Sequence, residues 1–68
     1  MEENKEMNNG EIIKNALEDF NRIQKYMVLA RKENATETYT ELKQQYIVLK
    51  ALLNSLNVNL TELDSIKE

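Results

Sequence analysis

Thirteen apolar residues of this sequence recur at alternating steps of three and four: Ile13, Ala16, Phe20, Ile23, Met27 and Ala30 in one run, then Ala35, Tyr39, Leu42, Tyr46, Leu49, Leu53 and Leu56 in another. A mean step of about 3.5 residues is the repeat of an a/d seam, the stripe that one helix turns toward a neighbouring helix along its whole length. A strand needs a period of two, so neither run reads as sheet. The absence of Pro and the presence of a single Gly agree, because sandwiches and barrels need turn residues at every strand end.

The two runs fall out of phase between Ala30 and Ala35, which places a turn at Lys32 to Asn34. Residues whose numbers sum to about 66 then face each other across an antiparallel hairpin. Phe20 meets Tyr46, Ile23 meets Leu42, Met27 meets Tyr39, Ile13 meets Leu53, and small Ala16 faces large Leu49. The rival is one unbroken helix, but carrying 100° per residue through the turn offsets the second stripe by about 90°, so one partner could not use both seams.

Three Asn-x-x-Glu signals punctuate the chain, at Asn8 to Glu11, Asn34 to Glu37 and Asn59 to Glu62. An Asn at the N-cap accepts from free backbone N–H groups of the first turn, and a Glu three residues later reaches back and suits the positive end of the helix dipole. Met7 with Ile12 and Val58 with Leu63 add hydrophobic staples to the first and third signals. The expected order is an acidic, flexible N-terminus over 1–8, a single helical domain over 9–68, and within it helices at 9–32, 35–56 and 60–67. The fold class is all-α: an antiparallel hairpin of two long coiled-coil-like helices with a short C-terminal helix, dimerising into a four-helix bundle. Asn34 and Asn59 also head N-glycosylation patterns, which capping explains without modification.

With no Cys and no His in 68 residues, disulfides, thiolate or imidazole metal sites and Ser-His or Cys-His nucleophile pairs are excluded. Glu37 and Glu41 share a face but lack the Glu-x-x-His partner of a carboxylate-bridged metal site, so a solvated acidic face is the reading. No catalytic residue, metal or cofactor is expected. No unbroken apolar stretch, that around Met27 to Ala30 included, approaches the roughly 20 residues of a membrane span. An acidic start where a secretory signal would be basic points to a cytoplasmic location.

Apart from Val58, Leu60, Leu63 and Ile66 of the C-terminal segment, nine apolar residues of the helical body lie off the seams: Ile12, Leu17, Tyr26, Val28, Leu29, Ile47, Val48, Ala51 and Leu52. A two-helix hairpin has no second layer to bury them, and a single core of this size rarely supplies more than about 3–5 kcal/mol. These residues form the expected partner face, either for a homodimer of hairpins or for another protein.

Charge is uneven: residues 1–11 carry net −3, residues 57–68 net −2 and the body between them +2. Lys14, Lys25 and Lys32, with Arg22 beside them, line one side of the first helix and form a candidate RNA-binding stripe. Glu18, four residues from both Lys14 and Arg22, partly neutralises it. In size and layout the chain resembles Rop-type RNA-binding hairpin dimers, and equally small helical secretion chaperones and phage or host regulators, a likeness of architecture that no motif carries. The expected function is a non-catalytic adaptor, chaperone or inhibitor working through its apolar face, with the RNA-binding dimer as the alternative.

Overall fold

Two helices fold back on each other about a short connection: α1 spans Asn9–Lys32 and α2 spans Thr36–Ser55. The computed structural model describes residues 9–68, and among these there is no strand. The stretch 1–8, with the staple residue Met7 and the cap Asn8, lies outside the described residues. Both long helices match their expected spans to within a residue at each end.

The seam is what joins them. All thirteen seam residues are buried or half-buried, and Phe20, Met27, Tyr46 and Leu53 are sealed from solvent entirely. At mid-height Phe20 and Tyr46 stack with ring centroids 5.5 Å apart and planes inclined by 10°, the pairing expected of residues summing to 66. Such an aromatic pair contributes about 0.5–1.5 kcal/mol beyond the area it buries. Ala16, Ile23 and Leu60 complete the buried cluster, and Leu17, Tyr39, Leu42, Leu49, Val58 and Ile66 pack on its margin.

The turn corrects one expectation. Asn34 does not cap the start of α2 with its side chain: the N-cap is Ala35, with no side-chain cap bond. Asn34 instead ends α1 in the left-handed region, at φ 59°. Its N–H donates to the Arg31 carbonyl at 3.1 Å, and the Ala35 N–H donates to the Ala30 carbonyl at 2.8 Å. This pair of bonds is a Schellman motif, which satisfies the last carbonyls of a helix and needs a residue tolerant of positive φ. The same device ends α2. Asn57 sits at φ 66°, its N–H donating to Asn54 and the Val58 N–H to Leu53, both at 3.0 Å. Asn stands at both positions because its short polar side chain accepts this conformation better than other residues with a Cβ.

The expected third helix over 60–67 is absent. Its start forms as anticipated, since the Asn59 side chain accepts from the Thr61 N–H at 2.9 Å and the Leu63 and Asp64 N–H groups return to the Leu60 carbonyl. The helix then stops after one turn because side chains take the amides that would continue it. Gln24 Oε1 accepts from the Ser65 and Ile66 N–H groups at 2.6 and 3.1 Å, and Asp64 Oδ1 accepts from the Lys67 N–H at 2.8 Å. Three such bonds, two of them to the distant Gln24, outweigh a helix only two turns long, which is marginal on its own.

Candidate functional site

The irregular segment 58–68 lies as a strap along one side of the hairpin, in the groove between α1 and α2. Viewed down α1 from Phe20, Gln24 lies about 40° toward the strap, whereas Asp19, Ile23 and Tyr26 lie about 60–120° the other way. On α2, Lys43 and Lys50 lie toward the strap, and Gln45, Leu49 and Leu52 away from it. One groove is therefore filled by the chain itself and the other is open.

The filled groove holds three stations. At the first, Gln24, only 4% exposed, grips main chain with both ends of its amide. Its Nε2 donates to the Leu63 carbonyl at 2.9 Å, while Oε1 takes the two amides named above and the Ser65 hydroxyl at 2.9 Å. At the second, the Tyr46 hydroxyl donates to the Asp64 carboxylate at 2.7 Å and accepts from the Glu68 N–H at 3.0 Å. Lys50 Nζ reaches Asp64 Oδ2 at 2.8 Å, the Glu68 carbonyl at 2.9 Å and the face of the Tyr46 ring, 5.4 Å from its centroid. At the third, Glu68 is shared among Lys43 at 2.7 Å, Arg31 at 3.1 Å and the Tyr39 hydroxyl at 2.9 Å, with the Arg31 guanidinium 5.0 Å from the Tyr39 ring centre.

The electrostatics follow from these contacts. Burial pushes the Asp64 carboxyl up, but Lys50, the Lys67 N–H and Tyr46 outweigh it and hold the group below its ordinary value. Glu68 is also held below its ordinary value, chiefly by hydrogen bonds from Lys43 and Tyr39. In return Glu68 raises Lys43 and Asp64 raises Lys50. Asp64 and Glu68 are thus charged and paired at neutral pH.

None of the strap's partners was among the candidate site residues read from the sequence. Tyr39 and Tyr46 lie on the expected seam, which by itself names no partner for their hydroxyls. The Tyr46 hydroxyl is buried against Asp64, itself 5% exposed. The one signal that could have found the arrangement is the opposition of a +2 body to a −2 terminal segment.

The nine off-seam apolar residues are all unburied, but they do not form one patch. Ile12 and Leu17 are half-buried, with Leu17 against the core. Tyr26 and Leu29 line a hollow with Leu42 at the turn end of the open groove, and Val48 lines another with Ile23 and Leu49 further along it. Leu52 borders the same side. Val28 and Ile47 instead flank the strap, while Ala51 points outward. Tyr26, Val28, Leu29, Ile47, Val48 and Leu52 remain between 38% and 67% exposed.

The basic stripe is half neutralised. Lys14 pairs with Glu18 at 3.3 Å, exposed on both sides, and Arg22 pairs with Asp19 rather than with Glu18. Such surface pairs contribute roughly 0–1 kcal/mol. Lys25 and Lys32 make no ion pair among the described residues. No group of three or more potential metal ligands occurs among the described residues, and no helix there is long and apolar enough to cross a membrane. Compared with known proteins, the chain matches no family model, no curated protein and no solved structure.

Proposed function

We propose that this chain is a non-catalytic, cytoplasmic interaction module, an adaptor, chaperone or inhibitor that works through the apolar flank left open opposite the strap. The observation behind the reading is the exposure of Val48 at 67%, Leu52 at 38%, and Tyr26 and Leu29 at 46% each, on a flank with no further segment of the described chain to cover it. Apolar side chains grouped along a groove mark an association surface on a small protein. Its first partner is a second copy: two hairpins laid flank to flank bury these residues in the core of a four-helix bundle with coiled-coil-like packing, the usual solution for such a unit. The test is sedimentation equilibrium at micromolar concentration. The intact chain is expected at twice its 8.0 kDa mass, and Val48→Glu with Leu52→Glu at the single mass, because a charge in an apolar interface costs several kcal/mol and one in water almost nothing. A wild-type chain that stays at 8.0 kDa throughout would overturn the reading.

The RNA-binding alternative rests on Lys25 and Lys32, which are exposed and make no ion pair among the described residues. Two stripe cations without an ion pair among the described residues predict weak, steeply salt-dependent binding that is lost when Lys14, Arg22, Lys25 and Lys32 are neutralised together. Anisotropy of a labelled RNA duplex in low and high salt separates this reading from the first.

A further inference from the structure

We propose that the groove beneath residues 58–68 is a docking site for an extended acidic segment of a partner protein, and that the chain's own strap is its resident occupant. This surface is distinct from the open flank and its fate is independent of dimerisation.

Three features make the groove a receptor for a segment of chain. Gln24, almost fully buried, makes three of its four bonds to the strap's backbone and the fourth to the Ser65 hydroxyl, so most of its grip does not depend on which side chains pass over it. The core takes Leu60 into its buried cluster and Ile66 at its margin as apolar anchors. Two cationic stations, Lys50 with Tyr46 and Lys43 with Arg31 and Tyr39, receive Asp64 and Glu68. Every receiving group belongs to α1 or α2 and none to the strap itself.

The occupant is specified by the same contacts. It carries an apolar residue, a carboxylate four positions later, a second apolar residue two further on, and a carboxylate two beyond that, the pattern of Leu60, Asp64, Ile66 and Glu68. Charge complementarity favours an acidic segment, since the strap region carries −2 against a body of +2. The strap is tethered through the Asn57 cap at the end of α2, and a short tether gives an effective concentration on the order of millimolar. A competing segment therefore binds weakly while the strap is seated, and more tightly once the strap's own carboxylates are weakened.

The experiment uses the full chain with Asp64→Asn and Glu68→Gln, which alters the strap and leaves every groove residue intact. The probe is a fluorescent peptide of the native 58–68 sequence, followed by anisotropy. The double variant is expected to retain its helical circular dichroism and to bind the peptide at least tenfold more tightly than the wild type does. Adding Gln24→Ala or Lys50→Glu should abolish that gain, and a peptide with the Asp64 and Glu68 side chains amidated, as Asn and Gln, should not bind. A folded double variant that binds the peptide no better than the wild type, or binds the amidated peptide equally well, overturns the proposal. Should the double variant lose its helices, titration of unlabelled native peptide into the ¹⁵N-labelled wild type decides. Displacement predicts that the Ser65 and Ile66 amides and the Gln24 side-chain amide shift together, and unchanged signals at saturating peptide reject the site.

Discussion

The hydroxyl of Tyr46 lies 2.7 Å and 2.9 Å from the two carboxylate oxygens of Asp64, while the ring that bears it stacks on Phe20. One side chain thus joins the apolar seam to the polar clasp of the strap. Tyr46→Phe keeps the stack and removes only the hydroxyl, leaving Asp64 and the Glu68 N–H each short of a partner. A loss of about 1–3 kcal/mol in urea unfolding is expected, since a buried polar group stripped of its partner keeps its desolvation penalty. A double-mutant cycle with Asp64→Asn should give a coupling between about 0.5 and 3 kcal/mol. Additive effects would show that the two groups do not act together.

The clasp also fixes the response to acid. Asp64 and Glu68 are both held below their ordinary values in the folded chain. A carboxylate with a depressed folded value contributes stability that is fully present above its unfolded value and is lost as pH falls through the folded one. With ordinary carboxylate values near pH 4, the strap should stay seated at pH 5 and above and loosen progressively below about pH 4. The amide signals of Ser65 and Ile66 report this directly. In the Asp64→Asn, Glu68→Gln variant that acid-dependent change should be largely gone, and a wild-type strap that remains protected at pH 2 would contradict the assignment.

Large-to-small changes along the seam should separate by burial and not by sequence position. Phe20 is fully enclosed, and Phe20→Ala should cost about 3–5 kcal/mol, enough to unfold a domain of this size. Leu49 belongs to the same repeat but is only half-buried beside the open groove, so Leu49→Ala in the single chain should cost less than that. The gap should narrow at high protein concentration if a second copy covers the flank, because Leu49 then becomes interior. Urea midpoints at two concentrations check both statements.

The seam and the hairpin were legible because they are periodic: each of the thirteen residues spaced by three and four is at least half-buried. The strap was not legible, for a physical reason that Gln24 and Asp64 illustrate. Their partners lie 39 to 42 residues away in sequence for Gln24 and 18 away for Asp64 with Tyr46. Local signals at Asn59 and Glu62 still read as a helix start, and the start does form. Long-range side-chain bonds to the next amides then overrule its continuation, and no local pattern encodes them. The nine off-seam residues were legible as surplus, but their division between two sides of the hairpin depends on which groove the strap fills.

The two asparagines that close the helices allow a test that distinguishes rival roles for the same residue. If Asn34 were the N-cap of α2, Ser would replace it with little change, because Asn, Asp and Ser are nearly equivalent caps. In the Schellman motif found here, Asn34 must hold φ 59°, where a residue with a Cβ is disfavoured by about 1–2 kcal/mol and glycine is not. Asn34→Gly is therefore expected to leave stability unchanged or raise it slightly, while Asn34→Ser and Asn34→Ala each lower it by roughly 1 kcal/mol. For a domain of this length that corresponds to a fall in Tm of about 4–8 °C. Asn57, at φ 66° with the same pair of backbone bonds, should behave identically, and its substitution should also loosen the strap, whose first residue, Val58, it aims back toward Leu53. Thermal unfolding of the six single variants measures the order. Ser tolerated at position 34 with Gly harmful there would restore the N-cap role and remove the left-handed one.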